Sequence, residues 1–358
     1  MNSRKWPIFV LLSASAAAAI AVACSETGPD AGPRTNGCIS EGCFDGGYPP
    51  DAMVTGQDGA VGPDGEAVIT DPLLGISPLT AKLLHGSLEF VEGPVWIGGR
   101  LIFSDVNVSP SILYELLSDG GLGVFRSMAG KPNGNAVDPQ GRLVTCESAP
   151  SRRRLTRTDL AVPANRTDVA TTFNGNGFNE PNDVIVRGDG NIYFTDPRYS
   201  NDPDGGQDKL AVYRLPPGAA TDGAERLAFD FNKPNGIALS PDGTTLYVVD
   251  NGDGSLLGAQ LNGDGTLLGS FQKLADTGGG DGMAVDDRGN LYVAAAAGVL
   301  VFDKNGAALG TITLPQGAPS NCTFGGGDRK TLFITSNLGG GNAATGLYSI
   351  RLNVPGLP

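Results

Sequence analysis

The sequence predicts an all-β, six-bladed β-propeller preceded by a signal peptide and a disordered spacer, and three observations lead there. The 358 residues include 54 Gly and 25 Pro, well above the average combined share of ~12%, and so turn-rich a chain favours many short strands over long helices. A short strand, a Gly-containing turn and a second strand recur six times beyond residue 90. The second-strand anchors Leu101, Leu143, Ile192, Leu246, Leu291 and Leu332 are 42, 49, 54, 45 and 41 residues apart, the spacing of one propeller blade.

In chain order, Arg4 and Lys5 precede an apolar run over residues 6–23, the layout of an export signal. Ala21-Val22-Ala23 fits signal-peptidase cleavage. The same residues followed by Cys24 resemble a bacterial lipobox, and this is the preferred reading: residues 1–24 are a lipoprotein-type signal peptide with Cys24 acylated. An ordinary secretory cleavage or a retained membrane anchor is the alternative. Residues 25–72 have no hydrophobic period and carry nine acids against one Arg, in motifs such as Gly62-Pro63-Asp64-Gly65. They read as a flexible Gly/Pro/acidic spacer. A tether behind an acylated Cys suits an exported protein held at the membrane surface of the cell envelope, with a periplasmic or secreted protein as the alternative. Cys38 and Cys43 are expected to form a local disulfide in that oxidising compartment.

Residues 73–358 are expected to form the propeller. Further strand-like runs follow each repeat, among them Ile112-Leu113-Tyr114-Glu115-Leu116 and Gly298-Val299-Leu300-Val301-Phe302, as four-stranded blades require. Ring closure removes the exposed sheet edge, so residues 83–90 are expected to complete the last blade beside Gly346-Leu347-Tyr348-Ser349-Ile350. An unclosed sandwich is the alternative.

Composition narrows the chemistry. A net charge of −13 argues against a nucleic-acid partner, which needs a basic face. The single histidine, His85, excludes multi-imidazole zinc sites. It would also have to serve any Ser-His-Asp triad, and no GxSxG accompanies it. His85 is expected to be structural.

The residue just before each inner strand sits at one mouth of the channel, where chemistry converges. That slot holds Glu92, Asn133, Asn182, Asn235, Asp281 and Asn321, all oxygen-bearing and none basic. Asn-Gly and Asp-Gly are also common turn formers, which is the bland reading of four of the six. Glu92 does not fit it. Two carboxylates facing one narrow channel repel unless one is protonated or a cation lies between them. Oxygen donors without His or Cys suit one hard divalent cation, Ca²⁺ first, then Mg²⁺ or Mn²⁺, with Zn²⁺ accepted by a promiscuous site.

These motifs resemble the senescence marker protein, gluconolactonase and luciferin-regenerating enzyme-like family of six-bladed propellers. The resemblance rests on Glu92-Gly93-Pro94-Val95-Trp96, Pro181-Asn182-Asp183-Val184, Ile192-Tyr193-Phe194-Thr195-Asp196-Pro197, Pro234-Asn235-Gly236-Ile237, Asp281-Gly282-Met283 and Asn321-Cys322-Thr323-Phe324. It implies a metal-dependent lactonase with Glu92 and Asn235 as ligands, Asp281 as ligand and general base, and Asn182 beside metal and substrate. Asn133, Asn182, Arg198 and Tyr199 are the expected contacts to a small-molecule lactone, with a sugar lactone foremost. The protein is expected to be a monomer that meets membrane only through its N-terminal anchor.

Where many relatives carry Cys-Glu-His, this chain has Cys146-Glu147-Ser148. The following Arg152-Arg153-Arg154 reads as a solvated loop rather than an anion clamp, and Cys146 and Cys322 as buried free thiols. Two other functions compete. One is an organophosphorus-ester hydrolase of the diisopropyl fluorophosphatase type, and the other a non-enzymatic, surface-tethered propeller that binds a ligand at its mouth.

Overall fold

The computed structural model describes residues 71–150, 152–200, 206–337 and 345–357. Every regular element among them is a strand. The expectations for the signal peptide, Cys24 and the Cys38–Cys43 pair lie outside the described residues, as does nearly all of the spacer.

Six four-stranded antiparallel sheets form the blades. Blade 1 runs from the inside outward as Val91–Ile97, Arg100–Asp105, Ile112–Leu116 and Leu122–Ser127. Blade 2 is Pro132–Val137, Leu143–Glu147, Arg154–Thr158 and Arg166–Ala170; blade 3 is Val184–Val186, Ile192–Asp196, Ala211–Leu215 and Glu225–Ala228. Blade 4 is Pro234–Leu239, Thr245–Asp250, Ser255–Leu261 and Leu267–Asp276; blade 5 is Met283–Val285, Leu291–Ala295, Gly298–Phe302 and Ala308–Ile312. In blade 6, Ala318–Gly325, Thr331–Asn337 and Gly346–Arg351 take Lys82–His85 as their outermost strand. A small hairpin, Thr172–Phe173 with Asn176–Gly177, leads from blade 2 to blade 3.

The second strand of each blade reads as an almost continuous apolar run because neighbouring blades cover both of its faces. Leu101, Ile102, Phe103, Phe194, Leu246, Val248, Leu291 and Leu332 are fully buried. Each such side chain contributes about 1.5–3 kcal/mol by leaving water. Between blades 2 and 3, Phe178, Phe194 and Tyr213 form an aromatic triangle with centroids 5.0–5.3 Å apart.

The ring closes as the repeat pattern predicts, through Leu83 paired with Tyr348. The closing strand is shorter than expected, Lys82–His85 instead of residues 83–90. Asp105 in blade 1 draws the rest of that segment away by accepting the amides of Glu89 at 3.2 Å and Phe90 at 2.9 Å. Trp96 stacks on Phe333 across the closure at 5.9 Å. His85 points its Nε2 at the Gly120 carbonyl in blade 1.

The arginine run is not a solvated loop. Only Arg152 is exposed, while Arg153 and Arg154 are buried. Arg154 binds Glu147 at 3.0 Å and Asp168 at 2.7 Å, so a carboxylate at the end of the preceding strand pulls the run inward. Cys146 and Cys322 are buried free thiols, and burial raises both thiol pKa values.

Candidate functional site

The slot residues lie at breaks in the ladders of the inner strands or just ahead of those strands. The ladder shifts register between Glu92 and Val95, Pro132 and Asn135, Pro234 and Ile237, and Pro319 and Asn321. In blades 3 and 5 the inner strands begin only at Val184 and Met283, two residues after Asn182 and Asp281. Bulges re-aim side chains that regular pairing would send into the sheet. Here they leave Asn133 and Asn235 outside the paired register, while Glu92 and Asn321 flank a bulge and keep Ser104 and Thr335 as partners.

The approach to three of these slots is held by a repeated carboxylate. Asp105, Asp196 and Asp250 each end the second strand of their own blade. Asp105 accepts the amides of Glu89 and Phe90, Asp196 those of Asn179 and Glu180 at 2.9 and 2.8 Å, and Asp250 those of Asn232 and Lys233 at 2.8 and 2.7 Å. In every case the captured amides lie three and two residues before the slot, at Glu92, Asn182 and Asn235.

Neighbouring slots are also tied around the ring. Gly134 N donates to Asn182 O at 2.7 Å, Gly236 N to Asp281 O at 3.0 Å and Gly282 N to Ser320 O at 2.7 Å. From the second strands, Ser104 Oγ donates to Asn133 O and Thr195 Oγ1 to Asn235 O, both at 2.7 Å. This explains the Asn-Gly and Asp-Gly pairs without turn chemistry. A Cβ on Gly236 would lie 2.5 Å from Asp281 O, and one on Gly282 2.0 Å from the Asn321 side chain.

Glu92 and Asn235 are buried, and Asp281 keeps partial exposure. Burial raises the Glu92 carboxyl well above the usual carboxylate range, and the charges of Asp281 and Asp183 add to the rise. The Gly93 amide and the Asn337 side chain, each at 3.3 Å, oppose it. Asp281 is likewise raised by burial; a hydrogen bond from Asn235 lowers it, and the charge of Asp183 raises it further. Asp183, a third carboxylate and itself buried, is pushed up to about 7 by burial against hydrogen bonds from Val184 N, Ile237 N and Asn321. The groups acting on these three acids are one another, backbone amides and Asn side chains. That is an oxygen-rich, uncompensated set suited to a hard cation. Among the described residues, no group of three or more His, Cys, Asp or Glu is assembled as a metal cluster; the candidate ligands here include amides.

The other expected residues fall into two groups. Asn182 is buried, Asn133 half-buried, and Tyr199 meets the ring because Asn235 Nδ2 donates to its hydroxyl at 2.7 Å. Arg198 donates to Asn179 Oδ1 and to Gln207 O at 3.3 Å. Asn321 is committed to bracing, with Oδ1 accepting Cys322 N at 2.8 Å while its side chain bonds Asp183. A cavity of about 890 Å³ occupies the channel toward the opposite mouth, lined by Val95, Val137, Ile185 and Leu239 and reaching Asp183 and Asn321 at its inner end.

Sequence reasoning missed Asp183, Asn337 and the trio Asp105, Asp196 and Asp250. The trio left a signal, since an Asp closes the second-strand motif in blades 1, 3 and 4.

Residues 90–337 match the SMP-30/Gluconolactonase/LRE-like region. A gluconolactonase of Zymomonas mobilis subsp. mobilis is 32% identical over 299 residues, covering 75% of this chain and 81% of the relative. The structure of a gluconolactonase from Xanthomonas campestris is 35% identical with a TM-score of 0.65, covering 78% of this chain and 93% of that one. A calcium-binding regucalcin from Agrobacterium tumefaciens shares the fold at 22% identity and a TM-score of 0.63, over 77% of this chain and 95% of its own. With the propeller, the ring of slots and a match of this extent, the chain belongs to the SMP-30/gluconolactonase/LRE-like family.

Proposed function

We propose that this protein is a divalent-cation-dependent lactonase that opens a sugar lactone at the ring of slot residues. The observation that carries the reading is the convergence of Glu92, Asp183 and Asp281 with amide side chains and without a basic partner. Its family places it among lactone hydrolases, and relatives named gluconolactonase at 32% and 35% identity favour that substrate class. Glu92, Asn235 and Asp281 would hold the cation, with Asn182 beside it. The oxygen donors suit Ca²⁺ first, with Mg²⁺, Mn²⁺ or Zn²⁺ as substitutes.

Bound there, the cation supplies Lewis acidity that polarises an ester carbonyl and eases deprotonation of water. Asp281 takes the proton of the attacking water. It returns that proton to the ring oxygen as the acyl C–O bond breaks, so lactone and water become one hydroxy acid. Asn133 and Asn182 orient substrate hydroxyls, and the Tyr199 hydroxyl adds a further contact. Arg198, held by its bonds to Asn179 and Gln207, is the remaining proposed substrate contact. Export to the cell envelope, with Cys24 carrying the lipid, and a monomeric state complete the proposal.

A lactone panel with the cation stripped and restored tests the reading, with Asp281→Ala in parallel. Hydrolysis should vanish on stripping, return on restoration and be abolished in the variant. Cation-independent turnover, or full activity in Asp281→Ala, would overturn the mechanism. Cation retention without lactone turnover would favour a binding module, and faster cleavage of fluorophosphates the organophosphorus reading.

A further inference from the structure

We propose that Tyr199 is a positioning residue that fixes the Asn235 amide with its carbonyl oxygen free for the cation. The inference rests on the cation site proposed above. Asn235 Nδ2 donates to the Tyr199 hydroxyl at 2.7 Å, and the same side chain hydrogen-bonds Asp281. With Nδ2 turned to the Tyr199 hydroxyl, Oδ1 is the polar atom left for a cation. Without the phenol hydroxyl, that anchor of the amide is lost and the side chain can rotate.

Tyr199 is itself anchored on the blade 3 side. Its amide donates to Glu180 Oε2 at 2.6 Å, and the Ser200 amide to Glu180 Oε1 at 3.0 Å. The Lys233 ammonium lies 5.3 Å from the ring centroid. A few residues earlier, Thr195 Oγ1 holds the Asn235 backbone carbonyl at 2.7 Å. One segment of blade 3 therefore grips both the backbone and the side chain of a ligand supplied by blade 4. Partners that orient a metal ligand in this way are worth ~10–100-fold in metal affinity when removed.

Calorimetric titration of Ca²⁺ into the full chain, stripped with EDTA, tests the role without relying on turnover. Tyr199→Phe should raise the dissociation constant by about 10–100-fold, with the circular dichroism spectrum and the melting curve in EDTA unchanged. Wild-type affinity in Tyr199→Phe overturns the inference while leaving the cation site standing. Failure of the wild-type chain to bind Ca²⁺, Mg²⁺, Mn²⁺ or Zn²⁺ overturns both. Should Tyr199→Phe melt early, Glu180→Ala frees the same segment without touching Asn235. It is expected to weaken Ca²⁺ binding, and unchanged affinity there also overturns the inference.

Discussion

Asn337 accepts the Val91 amide on Oδ1 at 2.9 Å and donates from Nδ2 to Glu92 Oε1 at 3.3 Å. A single amide from blade 6 thus braces both the backbone and the carboxylate with which blade 1 begins, across the seam where the ring closes. Glu92 has little other support, since its remaining hydrogen bond comes from Gly93 N at 3.3 Å.

Asn337→Ala is therefore expected to raise the cation concentration for half-maximal lactonase activity by about tenfold, the lower end for loss of a ligand's orienting partner. Activity titrated against free Ca²⁺ measures this. Activation at the wild-type concentration would mean that Glu92 keeps its place without the Asn337 amide.

The glycines that follow the slots offer a second test. A Cβ at Gly236 would sit 2.5 Å from the backbone oxygen of Asp281, which cannot move without opening the contact between blades 4 and 5. Gly236→Ala should lower unfolding stability by about 1–3 kcal/mol, the range for overpacking. Gly263, with open space around it, is the control, and Gly263→Ala should stay within about 0.5 kcal/mol of wild type. Equal denaturant midpoints for the two variants would remove the close-approach explanation.

These glycines mark where local sequence reasoning stops. The six second strands are legible because two-sided burial leaves an apolar run, and the slot series because an oxygen-bearing residue precedes the apolar stretch of each inner strand. Gly134, Gly236 and Gly282 look like turn residues locally, yet what requires them is the backbone or side chain of the next blade. Arg154 looked solvated for the same reason: its partners Glu147 and Asp168 lie 7 and 14 residues away, and only the fold brings them together. Asp183 escaped notice because the ring was read at one residue per blade, whereas blade 3 contributes both Asn182 and its neighbour.

Glu147 carries a larger energetic burden than its place in a strand suggests. It is fully buried and meets Arg126 at 3.5 Å, Arg154 at 3.0 Å and Arg166 at 3.1 Å, with Thr156 donating at 3.0 Å. Burial pulls Arg126 down to about 10, so its charge is already costly there. Glu147→Gln leaves three guanidinium groups around a neutral amide. The expected loss is about 3–5 kcal/mol, as for removing one partner of a buried ion pair. Urea unfolding measures it; a loss under about 1 kcal/mol would show that the arginines find other partners or that water reaches them.

The ring closure makes the last prediction. Lys82–His85 covers the outer edge of Gly346–Arg351 in blade 6. Without it, that strand would present unpaired backbone groups, and exposed edges recruit other chains. A chain beginning at residue 71 keeps the strand and should remain soluble and active. One beginning at residue 87 loses it, together with the packing of Ala81 and Leu84 against blade 6, and should aggregate or melt well below the longer chain. Size-exclusion chromatography and thermal melts of the two truncations decide the matter. If the shorter chain eluted and melted like the longer one, closure would have to rest on other contacts across the seam, such as the Trp96–Phe333 stack and the Asn337 bridge to Val91 and Glu92.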